Sequence, residues 1–179
     1  MPTYVALLRG INVGGNRMIK MADLRTVFLA ADADDVATYI QSGNVVFTHP
    51  ARSERALATE LEKRIAEAAG FPVPVVLRTA DQLARVIEDS PFPDADADHQ
   101  HVAFLAARPP AIAPTIDARA FAPERCAAVG RELYLYLPDG MGRSKLAAAV
   151  LAKPKAIGAG GTTRNWRTVL KLNELASAR

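Results

Sequence analysis

Five residues, Tyr4-Val5-Ala6-Leu7-Leu8, run without interruption into Arg9-Gly10-Ile11-Asn12-Val13-Gly14-Gly15-Asn16. The run is short and continuously apolar, which predicts a buried strand. Glycine and asparagine tolerate positive φ, so the loop behind it is able to turn its amides inward and cradle an anion. A second loop of the same chemistry, Gln41-Ser42-Gly43-Asn44, joins two further apolar runs, Val36–Gln41 and Val45–Thr48, as a tight hairpin. These two loops constrain the fold and carry the candidate site.

The pattern between and after them fixes an element order. Met21 to Ala31 reads as a helix with Met21, Leu24, Val27, Phe28 and Ala31 on one face. Ser53 caps a second helix carrying Leu57, Leu61, Ile65 and Ala68, with Glu60 and Arg64 as an i,i+4 pair and Gly70-Phe71-Pro72 as its stop. Val73 to Leu77 is the next strand. The order β-α-β-β-α-β is the ferredoxin-like arrangement. In it, the end of the first strand and the hairpin joining the second and third lie on one edge, so both Gly/Asn loops are expected at one rim.

Thr79-Ala80-Asp81-Gln82 is a capping box opening a helix with Leu83, Val86 and Ile87; Pro91-Phe92-Pro93 ends it, and an acidic loop follows. Beyond that loop come a strand at His101–Ala107, a proline-broken region with a short helix near Thr115–Ala118, strands at Cys126–Val129 and Leu133–Leu137, and a helix from Ser144 to Lys153. A loop, Gly158 to Thr163, and a helix from Arg164 close the chain. The expected fold class is α/β (α+β), two tandem ferredoxin-like units with a closing helix. The units divide as 1–79, a connecting helix and acidic linker at 80–98, and 99–179.

Composition limits the alternatives. Of 179 residues 50% are hydrophobic and 23% charged, as in a soluble globular protein. No apolar run approaches the roughly 18 residues of a membrane span. No basic, apolar and small-residue leader precedes the first strand, and Cys126 stands alone without a disulfide partner. These features predict a cytoplasmic protein with no membrane partner. The charge is uneven: Gly142 to Arg179 holds eight basic residues against one acid, Glu174, whereas Glu88 to Asp98 holds five acids and no base. A basic end suits an anionic partner, and equally a solvated tail.

Three stretches together resemble a known bacterial family. They are Ala6 to Asn16, Met21-Ala22-Asp23-Leu24-Arg25, and Thr38 to Phe47; Gly142 to Leu146 and Thr163 to Leu172 extend the likeness toward the C-terminus. The family is the domain-of-unknown-function family numbered 1697. The resemblance implies two α/β-plait domains in tandem and implies no activity. One departure is that a basic residue is usual near position 18, where this chain has Met18 with Lys20 close by; if that charge touches a ligand, Lys20 replaces it.

Known site chemistries are mostly excluded. The Gly-rich loop is neither a Walker loop nor a dinucleotide fingerprint, because no Gly-Lys-Ser/Thr follows and the glycine spacing is wrong. Asp94 to His101 fails as a calcium loop, with His99 at the glycine position and Leu105 at the closing glutamate; no metal site is expected. Cys126 reads as a core residue, and no Gly-x-Ser-x-Gly is present. An RNA-recognition sheet needs aromatics on the central strands, where only Tyr4 and Phe47 are available. Gly142-Arg143-Ser144-Lys145 begins a helix, where a phosphate is able to dock although Ser144 also serves as a plain cap. Lys145 is disfavoured there by the helix dipole. Arg164, Asn165 and Trp166 bring together a fork, an amide and an aromatic, and Arg164, Arg167 and Lys171 form a basic stripe on the last helix. Asn173 falls on the apolar face of that helix and needs a partner.

The reading is a protein binding, and acting on if a base is supplied, a small anionic ligand such as a nucleotide or phosphate ester. Its rim is Arg9, Asn12, Gly14, Gly15, Gln41, Ser42 and Asn44, with Lys145, Arg164 and Asn165 adding charge and orientation. No cofactor and no catalytic residue is identified. The alternative is a non-enzymatic module holding nucleic acid on the basic C-terminal helix.

Overall fold

The opening apolar run forms a buried strand, β1 (Thr3–Leu8), with every residue from Tyr4 to Leu8 buried. The computed structural model describes residues 1–108, 118–151 and 161–179. Most of the short helix expected near Thr115–Ala118, the Lys153 end of the helix expected from Ser144, and Gly158–Gly160 lie outside them. The chain divides into two compact units: Met1–Arg85 with Lys171–Arg179, and Val86–Leu170.

In the first unit β1 is followed by α1 (Met21–Ala30), β2 (Asp34–Tyr39), β3 (Asn44–Thr48), α2 (Glu54–Ala69), β4 (Val75–Thr79) and α3 (Ala80–Glu88) as far as Arg85. The four strands form one antiparallel sheet in the order β2-β3-β1-β4. Tyr4, Ala6 and Leu8 share a core with Phe47 of β3, Leu24 and Phe28 of α1, and Leu57, Leu61 and Ile65 of α2. Phe28 meets Phe47 edge-on at 5.0 Å, a favoured aromatic geometry. Val5 and Leu7 point the other way and are buried too, which is why the run shows no polar alternation.

The punctuation works by the expected local chemistry. Ser53 Oγ accepts from Ala56 N at the start of α2, and Gly70 ends that helix at φ 80°, the left-handed conformation that spares a Cβ clash. Thr79 Oγ1 and Gln82 Oε1 accept from each other's backbone N–H, forming the capping box of α3.

The second unit holds β5 (Gln100–Phe104), β6 (Arg125–Val129), β7 (Glu132–Tyr136), α4 (Lys145–Leu151), β8 (Thr162–Asn165) and the start of α5 (Trp166–Ser177), whose residues from Lys171 on belong to the first unit. Its antiparallel sheet has the order β6-β7-β5-β8, the same relative order as in the first unit. Arg125 lies between the rings of Phe92 and Tyr136, at 4.8 and 4.6 Å, and ties the Pro91–Pro93 segment to this sheet. The last helix begins at Trp166, not at Arg164, and Thr162–Asn165 pairs with β5 as a strand. Thr-Thr-Arg-Asn has no apolar alternation, so its strand character comes from its place beside β5.

The fold is therefore mixed α/β, with two four-stranded antiparallel sheets and five α-helices among the described residues. No described helix is long and apolar enough to cross a membrane.

Candidate ligand-binding cleft

The two Gly/Asn loops meet. The Asn12 side chain is the staple: its Oδ1 accepts from Ile19 N at 2.8 Å, and its Nδ2 donates to Ile19 O at 3.0 Å and to Gln41 O at 2.8 Å. Asn12 sits at φ 55°, a conformation asparagine adopts more readily than most residues. Within the loop Asn16 N donates to Val13 O, so Gly14 and Gly15 form an exposed turn at the tip. Arg17 anchors the far side, with its guanidinium 5.2 Å from the Phe71 ring and donating to Pro72 O.

The second loop is seated on the first by Gly43. Its carbonyl accepts from Leu8 N at 2.8 Å, and its backbone is at φ 79°. A Cβ there would lie 2.7 Å from Leu8 Cβ and 2.9 Å from Ile11 Cδ1, so only glycine fits. Asn44 is fully buried, and its Nδ2 donates to Tyr39 O and Ser42 Oγ at 3.1 and 2.9 Å. Ile40 occupies φ 48°, costly for a β-branched side chain, and is 49% exposed.

Beside this junction lies a cleft of about 470 Å³. Met18 to Met21, Asp23, Leu24 and Val27 form one wall; Ile65, Ala68 and Ala69 of α2 form another, and Gln41 completes it. Lys20 is the N-cap of α1, and no side chain caps that helix end. The side chains of Lys20, Asp23 and Gln41 make no hydrogen bond or ion pair with other described residues. A cation at a helix N-terminus is opposed by the helix dipole, and an anion there relieves both.

Of the rim expected from sequence, Gln41 lines this cleft and Gly14 and Gly15 do not; Lys20, expected only as a stand-in for a basic residue near position 18, lines it too. Asn12, Ser42 and Asn44 have side chains hydrogen-bonded within the loops, which shapes the junction. Arg9 is exposed, with its backbone N–H bonded to Pro74 O at 3.0 Å, and it does not line the cleft.

Lys145, Arg164 and Asn165 belong to the second unit. Lys145 opens α4, but two amides of that helix end are already taken: Leu146 N donates to the Glu124 carboxylate at 3.0 Å and Ala147 N to Ser144 Oγ at 2.8 Å. Asn165 Oδ1 accepts from Thr168 N at 2.8 Å and caps α5. Arg164 is a strand residue, not a helix residue, and is buried; its guanidinium donates to Thr162 Oγ1 at 2.7 Å and Thr163 O at 2.9 Å, and burial brings its pKa down to about 10. The expected helical stripe is thereby broken. Arg167 pairs with Asp98, and Lys171 with Glu174 at 2.6 Å. Asn173 Oδ1 is buried with no hydrogen-bond partner among the described residues.

Residues 1–134 match the model of a family described as "Protein of unknown function (DUF1697)". The chain belongs to this family. Every residue lining the cleft falls inside the matched region, whereas Lys145, Arg164 and Asn165 lie beyond it. A solved structure of a conserved bacterial protein from Streptococcus pneumoniae is similar over 99% of each chain, with a TM-score of 0.76 at 22% identity. That likeness establishes a shared fold. No curated protein matches the chain.

The loops are legible in the sequence, but the cavity beside them is not. Ala68 reads as one more apolar position of α2, yet it is exposed and lines the cleft. The available signal was Lys20, a cation at a helix start with no acidic or hydroxyl cap before it.

Proposed function

We propose that the first unit binds a small ligand through an anionic group in the cleft beside the Gly/Asn loops, with Lys20 as the charged contact and Gln41 as the orienting amide. The single observation carrying this reading is the cleft itself. It has about 470 Å³ of space, mostly apolar walls and a few convergent polar side chains left unpaired, the usual make-up of a small-molecule site. In this reading Asn12 and Gly43 hold the two loops together so that Gln41 faces α1. The chain is then two tandem ferredoxin-like units, a reading supported by the same strand order in both sheets, β2-β3-β1-β4 and β6-β7-β5-β8. The site is lined by the segment leading into α1, by α1 and α2, and by Gln41 of the turn between β2 and β3.

A nucleic-acid surface along Arg164, Arg167 and Lys171 draws no comparable support, because the first is buried in a strand and the other two carry acidic partners.

The test is a thermal-shift and calorimetric screen of the whole protein against inorganic phosphate, AMP, 3-phenylpropanoate and L-phenylalanine. A ligand at about 100 times its Kd adds about 2.7 kcal/mol of stability. The expected result is a saturable response that Lys20→Gln weakens and Ala68→Trp, which fills the cleft from an exposed position, abolishes. Binding unaffected by Ala68→Trp would place the ligand elsewhere.

A further inference from the structure

The charge and surface of the cleft narrow the ligand class within that reading. Lys20 and Asp23 both line it, three positions apart across the first turn of α1, and neither has a partner among the described residues. Side chains at that spacing on a helix lie about 5–6 Å apart at Cβ, close enough to engage neighbouring groups of one small molecule. One cation and one carboxylate leave the cleft with no net side-chain charge. A phosphate dianion drawn to Lys20 must therefore also face the Asp23 carboxylate, and that repulsion offsets much of the attraction. Eight of the eleven lining residues are apolar; Leu24 and Ile65 are buried, whereas Met18, Met21, Val27, Ala68 and Ala69 keep surface open to solvent. Inorganic phosphate leaves those walls wet, whereas an apolar body covers them, and methionine side chains adapt to its shape.

We infer that the ligand is an apolar α-amino acid, a zwitterion whose carboxylate meets Lys20, whose ammonium meets Asp23, and whose side chain lies against Met18, Met21 and Val27. Gln41 carries both a donor and an acceptor and serves either end. This assignment rests on the proposed cleft and adds what Asp23 does there: it selects for a ligand that brings its own cation and against dianions.

Isothermal titration of the whole protein with L-phenylalanine, 3-phenylpropanoate and phenethylamine separates the two ends, because each analogue lacks one charge. L-phenylalanine is expected to bind at least tenfold more tightly than either analogue. Asp23→Asn is expected to remove its advantage over 3-phenylpropanoate, and Lys20→Gln its advantage over phenethylamine. Both positions are exposed, so circular dichroism is expected to match wild type, with melting raised slightly by Lys20→Gln and lowered slightly by Asp23→Asn as the helix dipole requires. If 3-phenylpropanoate or AMP binds as tightly as L-phenylalanine and Ala68→Trp blocks it, the zwitterion assignment fails while the anion cleft stands. If none of these compounds nor inorganic phosphate binds, both fail.

Discussion

A methyl group added at Gly43 would lie within 3 Å of both Leu8 and Ile11, at a backbone φ of 79°. Gly43→Ala combines left-handed strain with overpacking and is expected to cost about 3 kcal/mol in urea melts. Gly14→Ala has open space around its Cβ and is expected to lose only about 1 kcal/mol. The contrast separates a glycine that seats one loop on another from one that merely turns the chain. Asn12 makes the complementary case. Asn12→Ala leaves Ile19 N without its acceptor and frees the Gln41 carbonyl, a loss of about 2 kcal/mol; Asn12→Asp keeps the acceptor but cannot donate, so it is not expected to restore stability. These roles were half legible in the sequence. Gly and Asn announced left-handed turns, but whether Asn12 faced a ligand or the neighbouring loop depended on contacts with Ile19 and Gln41, and the latter is 29 residues away.

Among the elements, the helices announced themselves through capping chemistry, and those caps are testable. Ser144→Ala removes the acceptor for Ala147 N and is expected to destabilise α4 by about 1 kcal/mol, read as a shifted urea midpoint. His101, on β5, has a buried Nδ1 with no hydrogen-bond partner among the described residues, and burial pulls its pKa below the ordinary 6.5. Its neutral form is the one the fold accommodates. Stability is then fully present above about pH 6.5 and is lost as pH falls from there through the lowered folded value. Urea melts at pH 7.5 and 5.5 are expected to show wild type losing more stability on acidification than His101→Gln. The strand β8 escaped the sequence reading for a related reason: four polar residues give no periodic signal, and pairing with β5 supplies what local propensity does not. Arg164 looked like a helical cation on the same account, although it is a buried strand residue.

At the scale of the molecule, the first unit is completed by the end of the chain. Lys171–Arg179 belongs to it, Leu172 and Ala176 are buried, and Arg179 pairs with Asp35 at 3.0 Å. Ending the chain at Leu170 removes all three and is expected to lower the unit's stability by at least about 3 kcal/mol, read by urea melts and faster proteolysis. The family match and the cleft both fall in the N-terminal part of the chain, so the functional reading rests on residues up to Ala69. The most direct test of that reading is a two-dimensional amide NMR titration of the whole protein with L-phenylalanine and, separately, with AMP. The account predicts shifts at Met18–Leu24, Gln41 and Ile65–Ala69 with at least one of them, and none along Arg164–Lys171. Shifts confined to Arg164–Lys171, or none at the cleft with either compound, would contradict it.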